Sequence, residues 1–408
     1  MKFLFDNESF SFEALRTAGF SAYGGADLGE VLATAGVIGD GGEDAWYRAW
    51  KATGDRVRED GERSLAAGHP VSARESMLRA SNYYRTADFY LRDDPFEDPA
   101  AKEVWDLAAD SFAVAASLMD TPVEPVAIPY EDTALPGYLF LVDDSGAPRP
   151  TVVFTGGYDS ILEEAYFAVA AAALRRGYNC LAYDGPGQGA ALRRQRLFFR
   201  PDWENVAGPV IDYALTRPEI DPARIVLHGY SLGGLLAARA AAFDSRIAAV
   251  VADGGVYDYH AFNFRQIPPF LADWVRTGRD ELAEPVAAMM SGHSTFVSWA
   301  LRNGMWTFGA DSVSDYMRRT RGYSLRGVAE RISAPTLVFD HENDFFDGEA
   351  ARVYEALVCP ATLVSLSEAD GAGEHCGYGA RSTVHRHMFD WLDRTLAGTG
   401  AATADRHG

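Results

Sequence analysis

The chain has 408 residues, 48% of them hydrophobic and 12% aromatic, and carries a formal net charge of −21. That length and apolar content suggest two or so folded units around a large core and exclude a disordered or low-complexity protein. The acidic balance argues against nucleic acid or an anionic membrane surface as partner. Three cysteines (Cys180, Cys359, Cys376) make no disulfide framework and fit a reducing compartment. The N-terminal stretch Met1 to Glu8 lacks an apolar signal region, and no run reaches the roughly 18 apolar residues of a membrane span. The protein is expected to be cytoplasmic.

Residues 1–120 read as helical, a cap domain expected over 1–122. Glu43 to Ala67 carries Trp46, Trp50 and Val57 at helical spacing, and Gly68 with Pro70 stops it. Ser72-Ala73-Arg74-Glu75 has capping-box spacing and opens a helix bearing Leu78, Tyr83, Tyr84, Ala87, Tyr90 and Leu91. Asp98-Pro99 starts a third helix with Val104, Leu107, Phe112 and Leu118 as its buried stripe. The cluster from Ser81 to Arg85 is polar and aromatic. Core packing is its favoured reading, and lining a pocket is the alternative.

From about residue 123 the period changes to two, with paired antiparallel strands at Val123–Tyr130 and Gly137–Val142. A β/α alternation follows: strand 151–155, helix 160–176, strand 178–183, helix 203–216, strand 224–228, helix 232–243 and strand 246–252. This is the pattern of a mostly parallel sheet with helices on both faces, an α/β core expected over 123–396. The alternation breaks over 257–330, where Trp274, Met289, Met290, Trp299, Met305 and Trp306 sit among short helical pieces. Such an insertion reads as a helical lid, the alternative being a subdomain that only packs. Strands at Ala334–Phe339 and Thr362–Leu366 and a closing helix over 380–396 complete the core, and 397–408 is expected to be a disordered tail.

One stretch organises this alternation. His228-Gly229-Tyr230-Ser231-Leu232-Gly233-Gly234 follows an apolar strand and precedes an alanine-rich helix, the context of a nucleophile elbow. Gly229 and Gly233 leave room for a turn so tight that Ser231 is strained and points from the carboxyl edge of the sheet. The N–H of Leu232, at a helix start, is placed to receive a developing oxyanion. A serine nucleophile needs a base and an orienting acid, in the chain order serine, acid, histidine. Asp344, in the turn after the strand that ends Phe339-Asp340, is favoured as the acid over Asp340, with Glu342 and Asp347 behind. His375, in Gly371-Ala372-Gly373-Glu374-His375-Cys376-Gly377 after the last strand, is the base; Cys376 lies on no elbow and is a buried neighbour.

The second oxyanion donor is expected from Gly156-Gly157-Tyr158-Asp159-Ser160, at the N–H of Tyr158 with Gly157 as rival. Tyr230, Asp159 and Tyr84 are candidate substrate-binding side chains. Gly185-Pro186-Gly187-Gln188-Gly189-Ala190 mimics a dinucleotide fingerprint, but its proline removes a phosphate-binding N–H and no acid closes a second strand downstream. No metal-ligand spacing is present, so neither cofactor nor metal is expected.

Asp184-Gly185-Pro186-Gly187-Gln188-Gly189, the elbow, and the loop from Gly371 to Cys376 together resemble one branch of the α/β-hydrolases. That branch includes 2,6-dihydroxypseudooxynicotine hydrolase and the fungal polyketide-shortening hydrolases of the melanin pathway. The resemblance extends through Arg79 to Arg85 and covers roughly residues 40–395. It implies the α/β-hydrolase fold, Ser231, Asp344 and His375 as the triad, and a site capped by the N-terminal helices and the insertion. It further implies hydrolysis of a C–C bond in a β-dicarbonyl-type, aromatic or polyketide-like small molecule. An extra acid in the cleft is also implied, for which Asp253 and Asp258 are near in sequence but match no motif. An esterase, amidase or acyl transferase with the same triad is the second expectation, and a non-catalytic binding protein a remote third. A small-molecule substrate is the expected partner, without nucleic acid or membrane, and a homodimer is one assembly open to the chain.

Overall fold

The computed structural model describes residues 2–404. Five helices precede the first strand: α1 (Glu8–Gly19), α2 (Leu28–Ile38), α3 (Glu43–Ala66), α4 (Pro70–Asp88) and α5 (Pro99–Ser117). The Asn7 side chain accepts the Phe10 N–H at the head of α1, a cap worth about 1 kcal/mol. At α4 the helix begins at Pro70, two residues before the expected capping box, because proline suits a first turn. Trp46, Trp50, Tyr83 and Tyr84 form the centre of this helical region, and the Trp46 indole donates to the Thr86 carbonyl at 2.7 Å. The Ser81 to Arg85 cluster is thus core, with the side chains of Asn82, Tyr83, Tyr84 and Arg85 hydrogen-bonded.

The sheet comprises β1 (Val123–Tyr130), β2 (Thr133–Phe140), β3 (Arg149–Thr155), β4 (Asn179–Tyr183), β5 (Ile220–Tyr230), β6 (Ala249–Asp253), β7 (Thr336–His341) and β8 (Ala361–Leu366). Their spatial order is β1-β2-β4-β3-β5-β6-β7-β8. β1 and β2 pair antiparallel, β2 joins β4 antiparallel, and every pairing from β4 to β8 is parallel. β4 and β6 are buried along their whole length, which is why they read as unbroken apolar runs and not as alternations. Core helices α6 (Ala171–Leu174), α7 (Gly189–Gln195), α8 (Glu204–Ala214) and α9 (Leu232–Ala241) connect the strands.

The expected helix over 160–176 starts late. Ser160 is tied into the preceding loop, its hydroxyl accepting the Gly157 N–H and its carbonyl accepting the Gly189 N–H. Helical backbone then enters through a π turn at Tyr166–Ala170 before α6.

Between β6 and β7 lie α10 (Tyr259–Arg265), α11 (Pro269–Arg276), α12 (Asp280–Ser291), α13 (Thr295–Phe308) and α14 (Val313–Arg319). α13 docks on the N-terminal helices: Trp299 stacks on Phe89 at 4.3 Å and its indole donates to the Phe89 carbonyl at 2.8 Å. After β7, α15 (Glu349–Ala356) and α16 (Arg381–Ala404) complete the chain. α16 continues past its expected end at 396, so helical backbone replaces the first part of the expected tail; 405–408 lie outside the described residues. No helix among the described residues is long and apolar enough to cross a membrane.

Candidate active site

Ser231 stands between β5 and α9 at φ 60°, ψ −134°, a strained conformation for a residue with a Cβ. Its N–H donates to the Asp253 carbonyl at 2.8 Å, and its carbonyl accepts the Gly234 N–H at 2.8 Å. The turn tolerates no side chain at Gly229, where a Cβ would lie 1.9 Å from the Gly233 carbonyl oxygen. Leu232 is the first residue of α9, so its N–H has no acceptor within the helix.

The loop after β3 passes directly against this serine. A Cβ on Gly157 would sit 2.8 Å from Ser231 Cβ and 3.3 Å from its Oγ. The Gly157 N–H, the rival oxyanion donor, is engaged by Ser160 Oγ at 2.6 Å. The Gly185 to Gly189 turn buttresses that loop. Gln188 Nε2 donates to the carbonyls of Gly156 at 2.7 Å and Gly157 at 3.2 Å, while its Oε1 accepts the Gly185 N–H at 3.0 Å. A motif that mimics a phosphate loop is here a prop.

Across the sheet edge, His375 Nδ1 lies 2.8 Å from each Asp344 oxygen. A carboxylate only accepts, so Nδ1 carries the proton and Nε2 is left free to act as a base. Asp344 is thereby the acid that meets His375; Asp340 points to Ser365 Oγ at 3.4 Å instead. Among the described residues no hydrogen bond joins Ser231 Oγ to His375; Nε2 has the Cys376 thiol 3.4 Å away. Burial pushes the Cys376 thiol well above its usual value, so it is present as a neutral thiol. Its backbone is left-handed (φ 52°), which turns the side chain under His375.

Ser231 and His375 share the wall of a cavity of about 460 Å³. Lid side chains Phe262, Leu271, Val275 and Met290 make one side apolar. Beside the serine the wall is polar, with Ser9, Glu13, Arg16 and Asp159. Tyr158 and Tyr230 also line the cavity, the Tyr230 hydroxyl lying 2.7 Å from that of Tyr378. Arg16 holds Asp159 at 2.6 Å and Glu164 at 2.7 Å, and its guanidinium packs over the Tyr378 ring. Burial raises the Glu13 carboxyl above its ordinary value. At Asp159 burial acts in the same direction, but Arg16, Arg85 and Arg92 overcome it and hold the carboxyl low.

Two sequence expectations need correcting. Tyr84 is not on the cavity wall: its ring packs against Gly54 in the helical core and its hydroxyl donates to Asp55 at 2.8 Å. Neither Asp253 nor Asp258 is a cleft acid, since Asp253 is buried against His341 and Arg381 and Asp258 caps α10. The acids that do face the cavity, Glu13 and Asp159, include one from α1 that the sequence reading missed. Nothing in the local sequence of α1 marks it as cavity-lining; its Asn7 cap marks only the helix.

A family model described as esterase FrsA-like matches residues 34–276 of the chain. The hydrolase LUC6 of Fusarium sp is 35% identical over 414 residues, covering 96% of this chain and 98% of the relative. The chain belongs to the FrsA-like esterase family. The 20-hydroxy-prefusarin hydrolase FUS2 of Gibberella moniliformis is 35% identical over 419 residues, with 97% and 98% covered. The crystal structure of 2,6-dihydroxy-pseudo-oxynicotine hydrolase matches with a TM-score of 0.74 at 22% identity, covering 93% of this chain and 96% of that one. The fold is that of the α/β-hydrolases, and this family member is a hydrolase.

Proposed function

We propose that this FrsA-like hydrolase cleaves an acyl or C–C bond of β-dicarbonyl type in an aromatic or polyketide-like small molecule, through an acyl-serine intermediate on Ser231. The observation that carries the reading is the strained Ser231 at the head of α9, sharing one cavity wall with an Asp344-oriented His375. His375 Nε2 takes the Ser231 proton as Oγ adds to the substrate carbonyl. The oxyanion rests on the N–H groups of Leu232 and Tyr158, aimed where charge develops. Collapse expels the leaving group, which His375 protonates; for a C–C bond this is a carbanion that must leave as an enolate. Water, deprotonated by His375, then releases the acid and restores Ser231. Ser231 swings toward Nε2 in this cycle, a tightening expected only with substrate bound.

The apolar lid side of the cavity suits a hydrocarbon or aromatic body, and Asp159 and Tyr230, which also line it, are proposed to meet the substrate's oxygenated end. The relative named for 20-hydroxy-prefusarin fits a substrate of that kind. A carboxylesterase is the second reading, favoured by the family's description as esterase-like. Wild type and Ser231→Ala given an aryl β-diketone and the matching aryl ester, with products read by mass, separate the two. Acid and ketone from the diketone with wild type only support C–C hydrolysis; cleavage of the ester alone supports the esterase. Activity surviving in Ser231→Ala overturns both.

A further inference from the structure

His341 has no place in the chemistry above, yet it is buried and each of its ring nitrogens faces an acceptor. Its Nε2 lies 2.8 Å from Asp253 Oδ1 and its Nδ1 lies 2.8 Å from the Ala372 carbonyl oxygen. A carbonyl only accepts, and so does an ionised carboxylate. Asp253 is ionised because its other oxygen takes Arg381 Nη1 at 2.9 Å. Both ring nitrogens of His341 must therefore donate, and the ring is an imidazolium.

The same groups grip both halves of the active site. Asp253 ends β6, and its backbone carbonyl accepts the Ser231 N–H at 2.8 Å. Its carboxylate holds His341 and Arg381, which reach the loop bearing His375 from opposite ends: His341 donates to Ala372 and Arg381 donates to the Cys376 carbonyl. Arg381 is anchored in turn by the Ala168 carbonyl at 2.9 Å. All three side chains are essentially inaccessible to solvent.

We propose that His341, held as a cation by Asp253, is a positioning residue: with Arg381 it fixes the 372–376 loop so that His375 meets Ser231. The proposal rests on the serine-hydrolase reading for its activity readout, but not for the protonation state it assigns. Losing the Nδ1–H or Nε2–H releases Ala372 or leaves Asp253 paired to Arg381 alone, and the base drifts from the nucleophile. Misplacement of about 1 Å is enough to cost about a hundredfold in rate.

The charged and titratable groups around His341 support this state. Burial opposes the cation, but Asp253, and behind it Asp344, raise its pKa above the ordinary value. Arg381 from α16 shares the carboxylate, and the Cys376 thiol on the neighbouring loop is neutral. His228 on β5 is driven down to about 4 by burial, and His385 beside Arg381 is also lowered by burial, so both are neutral near pH 7. A raised His341 pKa keeps the loop fixed below that value and releases it as pH rises through it.

Nitrogen-15 histidine spectra of the wild-type protein at neutral pH, with His341 assigned by its absence in His341→Gln, test the protonation directly. Signals of a doubly protonated ring are expected; a neutral tautomer overturns the proposal without the variant needing to be active. The rate of Ser231 labelling by an alkyl fluorophosphonate across pH 5 to 10 tests the consequence. His341→Gln is expected to lower the limiting labelling rate about ten- to a hundredfold, shift the half-saturating probe concentration by less than about twofold, and lose the alkaline decline expected of wild type. An unchanged limiting rate and profile overturns the positioning role. Wild type that is never labelled at Ser231 refutes the serine reading instead, and the spectra still decide the state of His341.

Discussion

At the scale of single residues, what the site requires is a particular atom free at a particular place. Asp344 accepts the His375 Nδ1–H, both of its oxygens lying 2.8 Å away, which leaves Nε2 unprotonated with the Cys376 thiol beside it. Asp344→Asn can present its amide to Nδ1 and stabilise the wrong tautomer, so kcat is expected to fall by about 10³- to 10⁴-fold in steady-state assays, with KM little changed. Asp159 makes a finer claim. One of its oxygens is taken by Arg16, and the carboxylate borders the cavity one residue beyond the Tyr158 N–H. Asp159→Asn should therefore lower kcat/KM more for an ester with a hydroxyl close to its carbonyl than for the deoxy ester, by about tenfold in the ratio. Equal loss on both esters would reduce Asp159 to a structural partner of Arg16.

At the scale of elements, the elbow and the ion cluster behind it set the tolerances. Gly229→Ala pushes a methyl into the Gly233 carbonyl and is expected to destabilise the fold by about 2–3 kcal/mol or to prevent folding, read as a lowered denaturation midpoint. The cluster also makes stability depend on pH in a definite direction. Asp253, lowered by Arg381 and His341 against its burial, contributes stability that is complete above the ordinary carboxylate pKa of about 3.9 and is lost as pH falls below it. His341, raised, contributes stability that is complete below about 6.5 and is lost as pH rises through its folded value. Urea midpoints are thus expected to be highest between these limits and to fall on both sides, with the alkaline fall missing in His341→Gln.

At the scale of the molecule, the cavity exists only because three parts of the chain close on it: α1, the lid and the carboxyl edge of the sheet. Trp299 is the joint between lid and N-terminal helices through its stack on Phe89 and its indole bond to the Phe89 carbonyl. Trp299→Ala is expected to cost about 3–5 kcal/mol and to raise KM, checked by thermal melting beside steady-state kinetics. How much of this was legible follows from the range of the interactions involved. The strands and the elbow were readable because apolar runs and tight-turn glycines are written locally, at Ala249–Asp253 and at Gly229 and Gly233. The late start at Tyr166 was not, because it is imposed by Ser160 bonding to Gly157 and Gly189, one of them distant in sequence. Arg16 and Glu13 were missed for the same reason: Arg16 is held by Asp159 and Glu164, about 150 residues further on, and Glu13 by Arg16 and by Arg85, about 70 residues on. Tyr84 misled because its hydroxyl looked like a site group while its ring belongs to the Trp50 core.

The central claim is that Ser231 becomes acylated. The most direct measurement mixes the enzyme with an aryl ester, quenches in acid within one turnover, and weighs the intact protein. A mass increase equal to the acyl group is expected, mapped to the peptide containing Ser231 and absent in Ser231→Ala. Turnover without any adduct, persisting in Ser231→Ala, would contradict it.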